Sequence, residues 1–158
     1  MPPAKRSPSG VRTRRATEFD AAAIVALIDA YVPSGTLLPR SLEFVTSYCH
    51  EFIVAVDDDD RVIGCVHLDE YSPSIAELRS LAVSPAAQGL GLGRELVQAT
   101  IDLATKREYA LLFAVSNDEA FFARFGFTRM EIPELDRERS EVSRYKGVFA
   151  KELRPAAG

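Results

Sequence analysis

Between a strand-like run and an amphipathic helical pattern the chain reads Gln88-Gly89-Leu90-Gly91-Leu92-Gly93-Arg94. Glycines let a backbone approach a ligand closely, and successive N–H groups at the start of a helix form an anion cradle that suits a pyrophosphate. Two other phosphate motifs fail here. The Walker A pattern needs a Gly-Lys-Ser/Thr that this chain lacks at that point. The dinucleotide fingerprint needs GxGxxG after the first strand of a βαβ unit and an acid near the end of the next strand. In this chain the spacing is GxGxG, it follows the fourth expected strand, and the next strand ends at Val115-Ser116.

The surrounding pattern predicts a mixed domain over residues 11–154. Residues 1–10 hold three prolines, two serines and a glycine, and read as a disordered, solvated leader. Val11 to Ala16 is expected as a strand, followed by a helix start at Thr17, Glu18 and Asp20. Phe19, Ile24, Leu27, Ile28 and Tyr31 fall on one helical face, and Pro33-Ser34-Gly35 stops that helix. After a loop, a short helix places Leu42, Val45 and Tyr48 on its buried side. Glu51–Val56 and Arg61–Leu68 read as two strands joined by a hairpin turn at Asp57–Asp60. Successive aspartates in a tight turn point apart, which disfavours a metal there. The glycine loop leads into a helix with Leu92, Leu96, Thr100 and Leu103 on one face. Ala110–Val115 reads as a buried strand, Asn117–Phe125 as a helix capped by Gly126, and 127–131 and 145–153 as closing strands.

The run Ile75 to Val83 is strand-like, but its pattern slips. Strict alternation would put Glu77 and Arg79 on the same face as Leu81 and Val83. A bulge between Arg79 and Leu81 resolves the conflict by flipping the phase. The element order β-α-α-β-β-β-α-β-α-β-β predicts an α+β, three-layer α/β/α arrangement with a mixed, mostly antiparallel sheet splayed at the bulged strand.

Composition removes several function classes. The hydrophobic and charged fractions, 47% and 27%, are those of a globular chain. No apolar run approaches the ~20 residues of a membrane span, and the polar N-terminus lacks the apolar core of a secretory signal. The net charge is −4, but the first fifteen residues carry five basic side chains and no acid. The rest of the chain sets fourteen basic against 23 acidic side chains, a balance of −9 that gives no electrostatic reason to bind nucleic acid. Cys49 and Cys65 are unclustered and suit a reducing cytoplasm. His50 and His67 have no partner at metal-ligand spacing, so no metal is expected.

The pattern Gln88-x-x-Gly91-x-Gly93 after a strand with a phase slip, with Phe121-Phe122-Ala123-Arg124-Phe125-Gly126-Phe127 downstream, resembles the Gcn5-related N-acetyltransferase (GNAT) superfamily. The resemblance implies the acyl-CoA N-acyltransferase fold and acetyl-CoA as co-substrate. It implies that the pyrophosphate sits on the backbone of Gln88, Gly89, Leu90, Gly91, Leu92, Gly93 and Arg94, and that the pantetheine runs along Leu81, Ala82 and Val83. Phe122 joins this set as the position where many members carry a Tyr acid.

A narrower resemblance is to the acetyltransferase domain of N-acetylglutamate synthases. It rests on Leu37-Leu38-Pro39-Arg40-Ser41, Ala76-Glu77-Leu78-Arg79-Ser80-Leu81-Ala82-Val83, Leu112-Phe113-Ala114-Val115-Ser116, the 121–127 segment and Ile132-Pro133-Glu134-Leu135. Ala76 stands where that family has glycine, and the chain resembles the short versions that lack an amino-acid-kinase-like domain. The resemblance implies acetylation of the α-amine of L-glutamate, the first step of arginine biosynthesis. Superfamily members are often homodimers.

An ammonium must lose a proton before it can attack a thioester. Glu77 is the candidate base, with a surface pairing to Arg79 as the competing reading. The tetrahedral intermediate needs amide donors, which a bulge can offer from Leu81 or Ala82. By resemblance, Ser116 serves the leaving thiolate; it is also placed to cap the helix that follows. A substrate with two carboxylates calls for at least two cations. Arg40 leads, then Arg144, with Arg137 or Arg139 third, and Leu38 and Ser80 adding backbone or hydroxyl contacts. Two alternatives stay open: the same chemistry on glutamine, another small amine or a protein N-terminus, and a non-catalytic acyl-CoA-binding module.

Overall fold

The computed structural model describes residues 5–6, 11–131 and 147–153. Its elements are β1 (Lys5–Arg6), β2 (Arg12–Arg15), α1 (Ala21–Asp29), α2 (Leu42–Ser47), β3 (Phe52–Val56), β4 (Val62–Ser72), β5 (Ile75–Val83), α3 (Leu92–Lys106), β6 (Leu111–Ser116), α4 (Glu119–Ala123), β7 (Thr128–Arg129) and β8 (Gly147–Glu152). The chain divides into two compact units. One holds the chain through Leu68 together with Ser80–Thr100, and the other holds Asp69–Arg79 together with the chain from Ile101.

In the first unit β1, β2, β3 and β4 pair in order, all antiparallel, with Arg6 opposite Arg12, Thr13 opposite Ala55 and Val54 opposite Cys65. All five residues of β3 are buried, as a strand covered on both faces should be. Ile24, Leu27 and Ile28 of α1 and Val45 of α2 pack with Phe52, Val54, Val56, Cys65 and Ala82 into one core. The Asp57–Asp60 turn forms as predicted. The Asp57 carboxylate accepts from the N–H groups of Asp59 (2.9 Å) and Arg61 (3.0 Å), and Asp60 takes the left-handed conformation at φ 61°.

Two expectations about helix faces are corrected here, and Lys5–Arg6 of the leader pair with β2 as a short strand. The arginines after them are engaged with acids: Arg12 reaches Asp60 at 3.4 Å, and Arg14 binds both carboxylate oxygens of Asp20 at 2.8 and 3.0 Å. Phe19 is 89% exposed, because a 3₁₀ turn over Glu18–Asp20 precedes α1 and takes it off the helical face. Leu42 and Tyr48 are exposed as well, because α2 is under two turns long and buries only Val45.

Asp20 joins the two ends of this entry turn. Its carboxylate also accepts from Thr17 N–H at 2.8 Å, completing a capping box. Burial works to raise the Asp20 carboxyl, but the Arg14 guanidinium and the Thr17 N–H outweigh it and hold it below the ordinary value of 3.8. A depressed carboxylate contributes stability above its unfolded value and loses it as pH falls through the folded one. Asp20→Asn is therefore expected to lower unfolding free energy by about 2 kcal/mol at pH 7. In urea melts the gap to wild type should close below about pH 4; a pH-independent gap would show that the charge is not its source.

In the second unit β5 pairs with β6 in parallel (Ile75–Leu111, Ala76–Leu112, Glu77–Phe113), β6 with β8 antiparallel, and β8 with β7 antiparallel. One parallel pair among antiparallel neighbours is the mixed sheet the sequence predicts, with the glycine loop and α3 as the crossover. Phe113 and Ala150 form its core with Ile75, Leu111, Val115 and Val148 around them. Gly126, at φ 86°, follows α4 as expected, but α4 is shorter than predicted and the 127–131 strand shrinks to Thr128–Arg129. The charged stretch 133–144 lies outside the described residues.

Candidate active site

β5 is where the sheet changes character. Ser80 adopts φ 54° in mid-strand, a left-handed twist between Arg79 and Leu81, where the sequence phase slips. The Ser80 carbonyl accepts from the thiol of Cys65 at 3.5 Å. Burial pushes that thiol up to about 12, so it stays protonated and able to donate. Pairing of β5 with β6 ends at Glu77–Phe113, although β6 continues to Ser116 against β8.

Glu77 is 4% exposed, so it is not a surface carboxylate. The competing pair to Arg79 is present but loose: Arg79 Nε lies 3.9 Å from Glu77 Oε1, while Arg79 Nη1 donates to Asp69 at 3.1 Å. Arg79 thus has a closer anion than Glu77.

The chain leaves β5 through a 3₁₀ turn at Pro85–Ala87 and enters the glycine loop, where Gly89 has φ 87° and Gly91 φ 79°. An added Cβ at either glycine would meet no atom within 4 Å, so both lie open to one side. Among the described residues no acceptor meets the N–H groups of residues 89–94; the neighbouring bonds run from Gln88 N–H to Pro85 and from Glu95 N–H to Gly91. Six consecutive donors with no protein acceptor fit an anionic diphosphate. The side chain of Leu92 is in the core, so it can offer a ligand only its backbone, whereas Leu90 and Arg94 are exposed. Behind them α3 is pinned by buried Leu92, Leu96, Val97 and Thr100; Leu103 is half-buried.

Ser116 accepts from the N–H of Asp118 at 3.0 Å, leaving its own proton to donate. The cap of α4 is Asp118, which accepts from Phe121 N–H at 3.1 Å, so the capping expectation for Ser116 holds only at one remove. Phe122 is buried against the rings of Phe127 and Phe149, a core position.

On the loop before α2, Arg40 is half-buried, donates to the Pro39 carbonyl at 3.1 Å and lies 5.6 Å over the Phe44 ring. The next residue, Ser41, caps α2 through Phe44 N–H at 3.0 Å, which fixes the base of that loop. Leu38 is exposed and Ser80 is buried. Arg137, Arg139 and Arg144 lie outside the described residues.

Two contacts escaped the sequence. His67, read as having no partner at metal-ligand spacing in the sequence, is buried with its Nε2 3.1 Å from Glu51 Oε1 and its ring stacked on Phe52 at 4.3 Å. Tyr31, read as a core residue, donates its hydroxyl to the Val83 carbonyl and accepts from Gln88 Nε2 at 2.7 Å. A polar-tipped residue just before a helix-stopping Pro-Ser-Gly is the one cue the sequence offered.

A strand interrupted by a left-handed residue, a glycine loop of acceptor-free amides and a parallel crossover fit an acyltransferase, and over residues 24–127 the chain belongs to the acetyltransferase (GNAT) family. It is an acetyl-CoA-dependent N-acetyltransferase with the acyl-CoA N-acyltransferase fold. It is 34% identical over 120 residues to an amino-acid acetyltransferase of Mycobacterium tuberculosis, covering 75% of this chain and 68% of that one. An amino-acid acetyltransferase of Neisseria meningitidis is also 34% identical over 139 residues; this chain spans about a third of its length, 32%, with 87% of its own residues. Among solved structures, N-acetylglutamate synthase from Neisseria gonorrhoeae complexed with coenzyme A and N-acetyl-glutamate superposes with a TM-score of 0.81 at 32% identity, over 92% of this chain and 35% of that one. Among the described residues no helix is long and apolar enough to cross a membrane.

Proposed function

We propose that this enzyme moves the acetyl group of acetyl-CoA to the α-amine of L-glutamate, making N-acetylglutamate for arginine biosynthesis. The observation that carries the donor half is the run of acceptor-free amides at residues 89–94. The acceptor half is supported by Arg40 on its capped loop and by relatives named amino-acid acetyltransferases.

The thioester supplies a carbonyl already activated for attack. Glu77 takes the proton from the substrate ammonium, directly or through a water. A backbone donor beside the Ser80 twist, at Leu81 or Ala82, stabilises charge on the carbonyl oxygen. Ser116 donates toward the departing sulfur. Arg40 pairs with one carboxylate of the amino acid, Arg137 and Arg144 are assigned to the other, and Leu38 and Ser80 line the acceptor's seat.

Arg40→Ala is expected to raise the KM for glutamate by about ten- to a hundredfold, the worth of one charge-assisted pair, with the KM for acetyl-CoA little changed. An unaltered glutamate KM removes Arg40 from the site. The acceptor itself is read by thiol release from acetyl-CoA across the twenty amino acids. Glutamate should give the highest kcat/KM, and a different winner overturns the assignment.

A further inference from the structure

The hydroxyl of Tyr31 uses both its proton and a lone pair on groups more than fifty residues away. It donates to the carbonyl of Val83, the last residue of β5, and accepts from the amide of Gln88, the first residue of the glycine loop, at 2.7 Å. Of the four residues between, Ser84 is held to β4 by its N–H to the Ile63 carbonyl at 2.8 Å, and beyond it the backbone ties are short-range. Ala87 N–H bonds to Ser84, and Gln88 N–H reaches Pro85 at 3.4 Å. Gln88 is exposed, so its side chain gives up rotamer freedom in water to hold this bond. The phenol therefore closes the 83–88 segment from outside, and Tyr31 is itself anchored on α1 through its N–H to Ile28 at 2.9 Å.

We propose that Tyr31 is a positioning residue of the donor site: its phenol fixes the span between the strand residues 81–83 and the amides 89–94. The proposal rests on the reading of those amides as the diphosphate seat. A cofactor held at two places along its length is sensitive to that span, whereas a donor held only by its pantetheine arm is not. Nothing in this role touches the reacting atoms.

The test compares acetyl-CoA with S-acetylpantetheine, which carries the same thioester without the diphosphate. Wild type should favour acetyl-CoA in kcat/KM by about a hundredfold or more, as two or more charge-assisted bonds would give. In Tyr31→Phe the KM for acetyl-CoA should rise about tenfold, the worth of roughly one hydrogen bond. Its KM for S-acetylpantetheine and its kcat at saturation should stay within about twofold. Gln88→Ala, at an exposed position, should also raise the KM for acetyl-CoA, and the double variant should be no worse than either single one. A Tyr31→Phe enzyme that keeps the full preference for acetyl-CoA, or that loses ground equally on both thioesters, overturns the proposal. A wild-type enzyme with no preference overturns instead the diphosphate reading beneath it, so the two failures are told apart.

Discussion

Glu77→Gln is expected to lower kcat by about two to four orders of magnitude, the usual worth of a positioned general base, while the KM for acetyl-CoA moves by less than about threefold. The substitution keeps the shape of the side chain and removes only its ability to accept a proton. Burial makes the test clean. At 4% exposure Glu77 leaves little room for bulk water or buffer to take over its role. Arg79 keeps its closer anion, Asp69 at 3.1 Å, so the variant does not strand a cation. The measurement is a steady-state series in both substrates, with CoA binding and thermal unfolding as controls. A variant with wild-type kcat would show that Glu77 is a structural carboxylate and that the base lies elsewhere.

Gly91→Val should act at the other end of the reaction. At φ 79° a β-branched residue is strained, at a cost of about 1–2 kcal/mol or more if the backbone stays put. Since a Cβ at Gly91 would meet no atom within 4 Å, crowding does not oppose the side chain, and the backbone is free to turn to relieve the strain. That turn re-aims the N–H groups of Gly91 and Leu92. The expected result is a rise of about ten- to a hundredfold in the acetyl-CoA KM and in the CoA dissociation constant by calorimetry. The unfolding midpoint should shift by only a few degrees. Unchanged CoA binding would take this loop out of the donor site.

The features legible in the sequence are those whose cause is local. The glycine loop, the Asp57 turn and the stop at Gly126 each announce themselves by residues that tolerate unusual φ. The twist in β5 was legible for a different reason: strict alternation puts Glu77 and Arg79 on one face with Leu81 and Val83, and between the two pairs the structure places the left-handed Ser80. What stayed hidden depends on distant partners. The hydrophobic period put Tyr31 on a buried face, yet its hydroxyl serves Val83 and Gln88. His67 looked isolated because Glu51 lies across a strand pair. Phe19 matches the helical period only by ignoring the 3₁₀ turn that offsets it, and the packing of Phe122 on Phe127 and Phe149 depends on residues that come together only in the fold.

The left-handed Ser80 limits how this gene can drift. An ordinary L-residue there works against its own Cβ, and only glycine, asparagine or aspartate enters that conformation readily. Each carries a different liability: glycine loosens the strand before folding, and the two longer polar side chains crowd a site already buried beside Cys65. Serine at this position combines a small side chain with a backbone conformation that costs it energy, so the buried volume around Ser80 and its φ constrain the same residue together.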